Sequence, residues 1–287
     1  MSILYQALKT QWGAVKRNPL VSFLLIFIMG EVIFVGNRDK TLIKAIAYLL
    51  AMWFCSLVTD MYVIWHKPKH DEFLVKQPLK ETIYAVTCTL LGILFLMFRF
   101  VMLDWNNTPG PVKLAILPLI FFTFPVILFV ILLLYKYKLK DMGFRFSNVI
   151  FVAVLVILVT AVTAYIVAPA GFTFRIVYRQ AGGLTGLLIE GFITAALPEE
   201  FTRLILQTRL GALFNSKSIG WFFASFIWAC MHIPAFYAQH NNLPRAVMGA
   251  LQIIPLGLLW GYMTFRTKNI FPAILTHGIN MWGLQIF

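Results

Sequence analysis

Two adjacent carboxylates, two histidines, an arginine and an asparagine stand in the C-terminal half of a chain that is otherwise mostly apolar. Glu199 and Glu200 come together, Arg203 follows four residues after the first of them, His232 lies further on, and His277 and Asn280 stand near the end. Helical positions four apart share a face, so the spacing predicts a Glu199–Arg203 pair. Positions three apart do too, which sets His277 beside Asn280. A carboxylate and two imidazoles gathered in a low-dielectric pocket can share and activate a water, which is hydrolytic chemistry. Glu199, His232 and His277 are equally the His₂Glu set of catalytic zinc enzymes, although no H-E-x-x-H occurs in the chain. Taken singly, each residue has an ordinary structural alternative, a buried ion pair or a core histidine.

The elements that must carry these residues are membrane helices. Hydrophobic residues make up 60% of the 287 positions and charged ones 12%, against about 25% charged in soluble domains. Apolar windows recur near Leu20–Val35, Ile43–Trp65, Ile83–Leu103, Leu114–Tyr135, Val149–Val167, Gly182–Leu210, Ile219–Ala238, Ala246–Phe265 and Ile270–Ile286. Each is long enough to cross about 30 Å of hydrocarbon. The expected fold is therefore an all-α polytopic bundle of eight or nine transmembrane helices. Measured from the same side at about 1.5 Å per residue, Glu199 lies roughly 16 Å deep, His232 roughly 20 Å and His277 roughly 12 Å, so the three share a level.

The net charge of +13 is strung through loops and forms no basic stripe, so it points to topology and not to nucleic acid. Of the 24 Lys and Arg residues, nine crossings place fifteen on one side, Arg209 among them, and seven on the other, with Arg99 and Arg203 inside spans. The positive-inside rule puts the N-terminus in the cytoplasm. The first window follows a lysine-bearing stretch without a small-residue cleavage site and is expected to be retained. Cys55, Cys88 and Cys230 all fall in apolar windows and suggest packing, not a disulfide framework. Charged residues inside spans cost roughly 2.5–3.5 kcal/mol each; Glu31 and Asp60 suit interhelical hydrogen bonds, Arg99 can snorkel, and Glu190 suits either a structural role or a substrate contact. The segment Tyr135–Asn148 divides N-terminal helices (residues 1–139) from a C-terminal core (140–287) that holds nearly all the polar residues of interest.

These residues resemble the intramembrane proteases of the CPBP class, which includes CAAX-processing endopeptidases and bacteriocin-processing or self-immunity proteins. The family motif E-E-x-x-x-R is similar to Glu199-Glu200-Phe201-Thr202-Arg203, one residue short before the arginine. F-x-x-x-H is similar to Trp228-Ala229-Cys230-Met231-His232, with tryptophan for phenylalanine, and H-x-x-x-N to His277-Gly278-Ile279-Asn280, with Met281 in the usual asparagine place. The run Gly257–Tyr262 and then Arg266–Ile274 leading into His277 adds context, as does Phe144 beside Gly143. The resemblance covers roughly Lys140 to the C-terminus.

It implies peptide-bond hydrolysis within the membrane. Glu199 would be the general base, with Glu200 beside it and His232 assisting. His277 and Asn280 would hold the oxyanion, Arg203 would orient the glutamates, and Trp228 would line the substrate pocket. No cofactor is required in this scheme; zinc is the alternative, with Glu199, His232 and His277 as ligands. The implied partners are a peptide or membrane-protein substrate and the lipid bilayer, and the expected location is a bacterial cytoplasmic membrane. Two other functions share the same residues. One is an inactive immunity or scaffold protein of this fold. The other is a proton-coupled transporter using Glu190, Glu199 and Glu200, although no repeated halves are visible.

Overall fold

The computed structural model describes residues 2–67, 72–103, 110–167 and 183–280. All regular structure among them is helical. The end of the last apolar window with Met281, and the charges Lys69, Arg175 and Arg179, lie outside the described residues.

The chain opens with a helix that the apolar windows did not include, α1 (Ile3–Arg17). Its Ala7 is buried against the bundle, whereas Leu4, Tyr5, Leu8 and Trp12 are exposed, and Lys9, Lys16 and Arg17 share its length. That mixture of apolar and cationic side chains suits a helix lying in the interface plane. Asn18 then separates it from α2 (Pro19–Arg38): the Asn18 side chain accepts the Val21 N–H at 3.3 Å, and Pro19 supplies the preset φ of a first helical turn. The succeeding helices are α3 (Leu42–His66), α4 (Pro78–Met97), which runs into a π turn over Phe98–Met102, α5 (Gly110–Leu134) and α6 (Val152–Val167).

Proline punctuates the last helices of the C-terminal core. A short helix α7 (Leu184–Leu188) passes through a π segment, Ile189–Ala196, into α8 (Leu197–Leu213). Pro198 has no N–H to give, so the preceding turn widens, and the Leu197 N–H bonds to the Phe192 carbonyl. Pro234 similarly stops α9 (Lys217–Cys230) before α10 (Ile233–His240), leaving His232 at the break. The long α11 (Leu243–Thr267) carries an internal Pro255, and α12 (Phe271–Ile279) begins on Pro272.

Helices α8 and α9 meet where Gly220 faces Gly211 and the Gln207 carbonyl so closely that an added Cβ would collide with backbone. Small residues at such a crossing let two membrane helices touch. Two hydrophobic clusters flank them, and each draws on both halves of the chain. One joins Val21, Tyr48 and Cys55 to Trp228, Ile254 and Trp260; the other joins Ala85, Cys88 and Leu128 to Phe201, Ile205 and Ile274.

Five described helices are long and apolar enough to cross a membrane: Pro19–Arg38, Leu42–His66, Pro78–Val101, Lys217–His240 and Leu243–Thr267. Phe122–Leu134 and Val152–Val167 are shorter apolar helices. The protein is an all-helical integral membrane protein. Helix α8 is not among the five, since its seventeen residues include Glu199, Glu200, Arg203 and Arg209. It is tolerated because its charges pair inside the bundle. Arg209, counted above as a loop charge, is fully buried, and its Nε donates to Glu81 Oε2 of α4 at 3.0 Å.

Candidate active site

Three helices bring the polar residues to one place. Glu199 and Glu200 occupy the first turn of α8, His232 the break after α9, and His277 the last turn of α12. Glu199 Oε2 lies 3.7 Å from His232 Nε2 and 3.8 Å from His277 Nε2. The shared depth expected from the sequence is therefore a real convergence.

The two glutamates are held differently. Glu200 is fully buried. Its Oε2 takes a short contact from Arg203 Nη2, and its Oε1 lies 3.0 Å from His277 Nδ1. Glu199 remains 15% exposed at its side chain, and its Oε2 accepts the Trp228 indole N–H at 2.6 Å. The expected Glu199–Arg203 pair is accordingly replaced by Glu200–Arg203, three apart and also helix neighbours. The indole already occupies the oxygen of Glu199 that faces the site, and the arginine turns to the buried carboxylate.

The histidines are fixed by their Nδ1 atoms. His232 Nδ1 lies 3.0 Å from the Trp228 carbonyl oxygen, which can only accept, so Nδ1 carries the hydrogen. Glu200, paired with a guanidinium, likewise accepts from His277 Nδ1–H. In this tautomer each ring, when neutral, turns a bare Nε2 toward Glu199. The separations of 3.7 and 3.8 Å are too long for direct hydrogen bonds. Aromatic walls hold the rings in place. Trp260 stacks on His277 with centroids 3.9 Å apart at 11°, and Trp228 stands edge-on to His232 at 4.6 Å and to His277 at 5.8 Å.

Arg203 has a shaped berth. Its Nη1 presses on Gly261 of α11, where any Cβ would collide, and Gln207 Oε1 and the Trp221 ring crowd the same point. Gln207 Nε2 donates to the Gly261 carbonyl at 3.1 Å. Arg203 Nε and Nη1 and Gln207 Oε1 are buried without hydrogen-bond partners among the described residues.

The remaining sequence candidates fall elsewhere. Asn280 is buried at the end of α12, where its backbone N–H donates to the Thr276 and His277 carbonyls; among the described residues His277, but not the Asn280 side chain, is hydrogen-bonded to a glutamate. Trp228, expected as a pocket wall, is buried and donates its indole N–H to Glu199. Glu190 lies in the π segment before α8. Asp60 makes the interhelical bonds expected of it, accepting from Tyr262 Oη at 2.6 Å and Gln11 Nε2 at 3.1 Å and pairing with Arg266. Both carboxylate oxygens of Glu31 are buried without a described partner, so the interhelical bond expected there is not formed. Arg99 lies over the Phe100 ring. Trp260, Gln207 and Gly261 were not singled out as site residues; the only local signal was their place in the run before His277 and one turn after Arg203. Among the described residues no three His, Cys, Asp or Glu side chains are arranged to hold a metal ion. Glu199 Oε2 is engaged by the indole and Glu200 by Arg203 and His277.

Residues 180–283 match the family model described as type II CAAX prenyl endopeptidase Rce1-like. That segment includes α7 through α12 and contains every side chain of the cluster. It is similar to the CAAX protease family, which is a family of proteases. No curated protein and no solved structure matches the chain.

Proposed function

We propose that the protein is an intramembrane endopeptidase in which Glu199 activates a water. The carrying observation is that Glu199 Oε2 faces two bare imidazole nitrogens at 3.7 and 3.8 Å. Three acceptors aimed at one another repel unless a donor sits between them, and a water supplies two hydrogens. One goes to Glu199 and the other to His232 or His277 Nε2.

In the reaction, Glu199 takes a water proton as the water oxygen bonds to the scissile carbonyl carbon and the carbonyl π electrons move to oxygen. The protonated Glu199 then gives that proton to the leaving amine as the C–N bond breaks. Glu200 acts through His277: ionised by Arg203, it keeps the Nδ1–H tautomer that leaves Nε2 free, the role a carboxylate plays behind a catalytic imidazole. The oxyanion needs an N–H donor. With its hydrogen on Nδ1, neutral His277 is not one, so Asn280 Nδ2 takes that part. Trp228 holds Glu199 through its indole and borders the space a peptide would enter.

Within this proposal residues 140–287 form the catalytic core, and residues 1–139 form a scaffold bearing on both sides of α8 and α11. The finer count of eight or nine crossings adds α5, α6, α8 and the last helix to the five spans. The N-terminus is assigned to the cytoplasmic face of a bacterial membrane, and the substrate to a peptide or membrane protein. No step passes through a metal.

Purified protein incubated with a peptide library tests the assignment: cleavage by the wild type, absent in both Glu199→Gln and His232→Ala, is expected. Cleavage retained in both variants overturns it. Metal analysis of the same preparation is expected to find cleavage without stoichiometric zinc, and a strict zinc requirement would replace the water-only scheme. An inactive scaffold draws on the two shortened motifs; however, Arg203 reaches Glu200 despite its shift.

A further inference from the structure

A cavity of about 510 Å³ lies between α1, α2, α3, α9 and α11, away from the glutamates. That is within the roughly 300–1,000 Å³ of small-molecule sites. Its walls include Leu25, Trp53 and Phe265, and five of its polar residues, Gln11, Ser22, Ser56, Trp221 and Tyr262, make hydrogen bonds to other parts of the protein. Gln11 and Tyr262 both donate to buried Asp60. Trp221 Nε1 donates to the Leu258 carbonyl at 2.8 Å. Ser22 and Ser56 turn their hydroxyls to the Asn18 and Met52 carbonyls, at 3.1 and 2.9 Å. A cavity so lined offers water few partners. Within a bilayer, the surrounding apolar material is acyl chain.

The rim carries the charge that would select a headgroup. Asn18 Nδ2 donates to Ser216 Oγ at 3.0 Å, which pins the corner after α1 to the start of α9. Arg17 and Lys217 directly adjoin that contact in sequence, and Lys16 lies over the ring of cavity residue Trp12. Lys217 is 63% exposed and pairs with Glu72 at 3.2 Å, an acid it shares with Lys268. The cations outnumber this one carboxylate.

We propose that the cavity is a site for one acyl chain of an anionic phospholipid, its phosphate held at Lys16 and Lys217 beneath the interfacial helix α1. The site has a path to the glutamates, since Trp221 forms its wall and presses, like Arg203, on Gly261. A lipid seated there braces the arginine that holds Glu200.

Native mass spectrometry of protein extracted in mild detergent tests this. One retained phospholipid per chain is expected, with phosphatidylglycerol taken over phosphatidylcholine from an equimolar mixture. Ser56→Trp and, independently, Leu25→Phe fill the cavity and are expected to lose the adduct with unchanged melting. Ile26→Trp, on a side chain 69% exposed, should keep it. Lys217→Gln is expected to keep the adduct but to cut the anionic preference about fivefold. Absence of any adduct in the wild type, an adduct that survives both filling variants, or an acyl chain retained only when supplied on a lipidated peptide would each overturn the proposal. The readout is mass and not cleavage, and it is repeated on Glu199→Gln, so failure of the protease assignment leaves this result standing.

Discussion

Helix α8 carries a buried ion pair toward each end, and the two ends differ in how completely their carboxylates are satisfied. Toward the C-terminal end, Glu81 Oε1 accepts from Tyr137 Oη at 2.6 Å, the Gln77 N–H at 2.9 Å and the Lys76 N–H at 3.2 Å, while Oε2 accepts from Arg209. Nothing is left for a reactant. At the N-terminal end, Glu200 is similarly saturated by Arg203 and His277, but its neighbour Glu199 has one indole donor and faces two lone pairs. Identical residue types therefore do opposite work. A closed network fixes the bundle, whereas an open one keeps room and electrostatic demand for a water.

The comparison breaks most decisively at Glu199. Glu199→Gln is expected to lower turnover by about 10²–10⁴, the span of general acid–base catalysis, with melting unchanged or raised because an unsatisfied site costs stability. A cleavage assay paired with a thermal melt checks both halves, and activity within tenfold of wild type would equate the two ends. Arg209→Ala should do the reverse. It leaves Glu81 buried without its cation, at a cost of about 3–5 kcal/mol, seen as a lowered melting temperature, while correctly folded molecules keep their turnover. Replacing both partners, as Glu81→Leu with Arg209→Met, should recover most of that loss, since paired charges and packed apolar groups are often equivalent in burial.

Smaller effects sharpen the picture. Asn280→Ala is expected to reduce kcat by about 10²–10³ with KM nearly unchanged, the signature of a lost oxyanion donor. A neutral result would remove the oxyanion role from Asn280. Trp228→Phe removes one hydrogen bond to a charged group, worth roughly 1.5–3 kcal/mol. Part of this should appear as a drop in kcat of about tenfold, with the aromatic wall intact. A steady-state comparison of Trp228→Phe with Trp228→Ala separates the donor from the wall.

Much of this molecule was legible in local pattern. Windows of apolar residues located the described helices because span length and composition are properties of adjacent residues. Glu199, His232 and His277 stood out because a charge or imidazole in a membrane segment needs a reason. The amphipathic α1 was less visible, since its Lys9, Lys16 and Arg17 read as a polar lead-in until its packed Ala7 and exposed Trp12 gave it two faces. Arg209 read as a loop charge because the apolar window ended beside it, and its partner Glu81 is 128 residues away.

Composition and helical period by themselves determined that this is an all-helical membrane protein and which few polar residues its core must accommodate. Tertiary structure decided which of two adjacent carboxylates is locked and which is open. Either glutamate lies within helical reach of Arg203. The choice was made by His277, 77 residues from Glu200, and by Trp228, 29 residues from Glu199. Contacts of that range arise only when α8, α9 and α12 pack, because hydrogen bonding depends on separations of about 3 Å that no spacing within one helix can set.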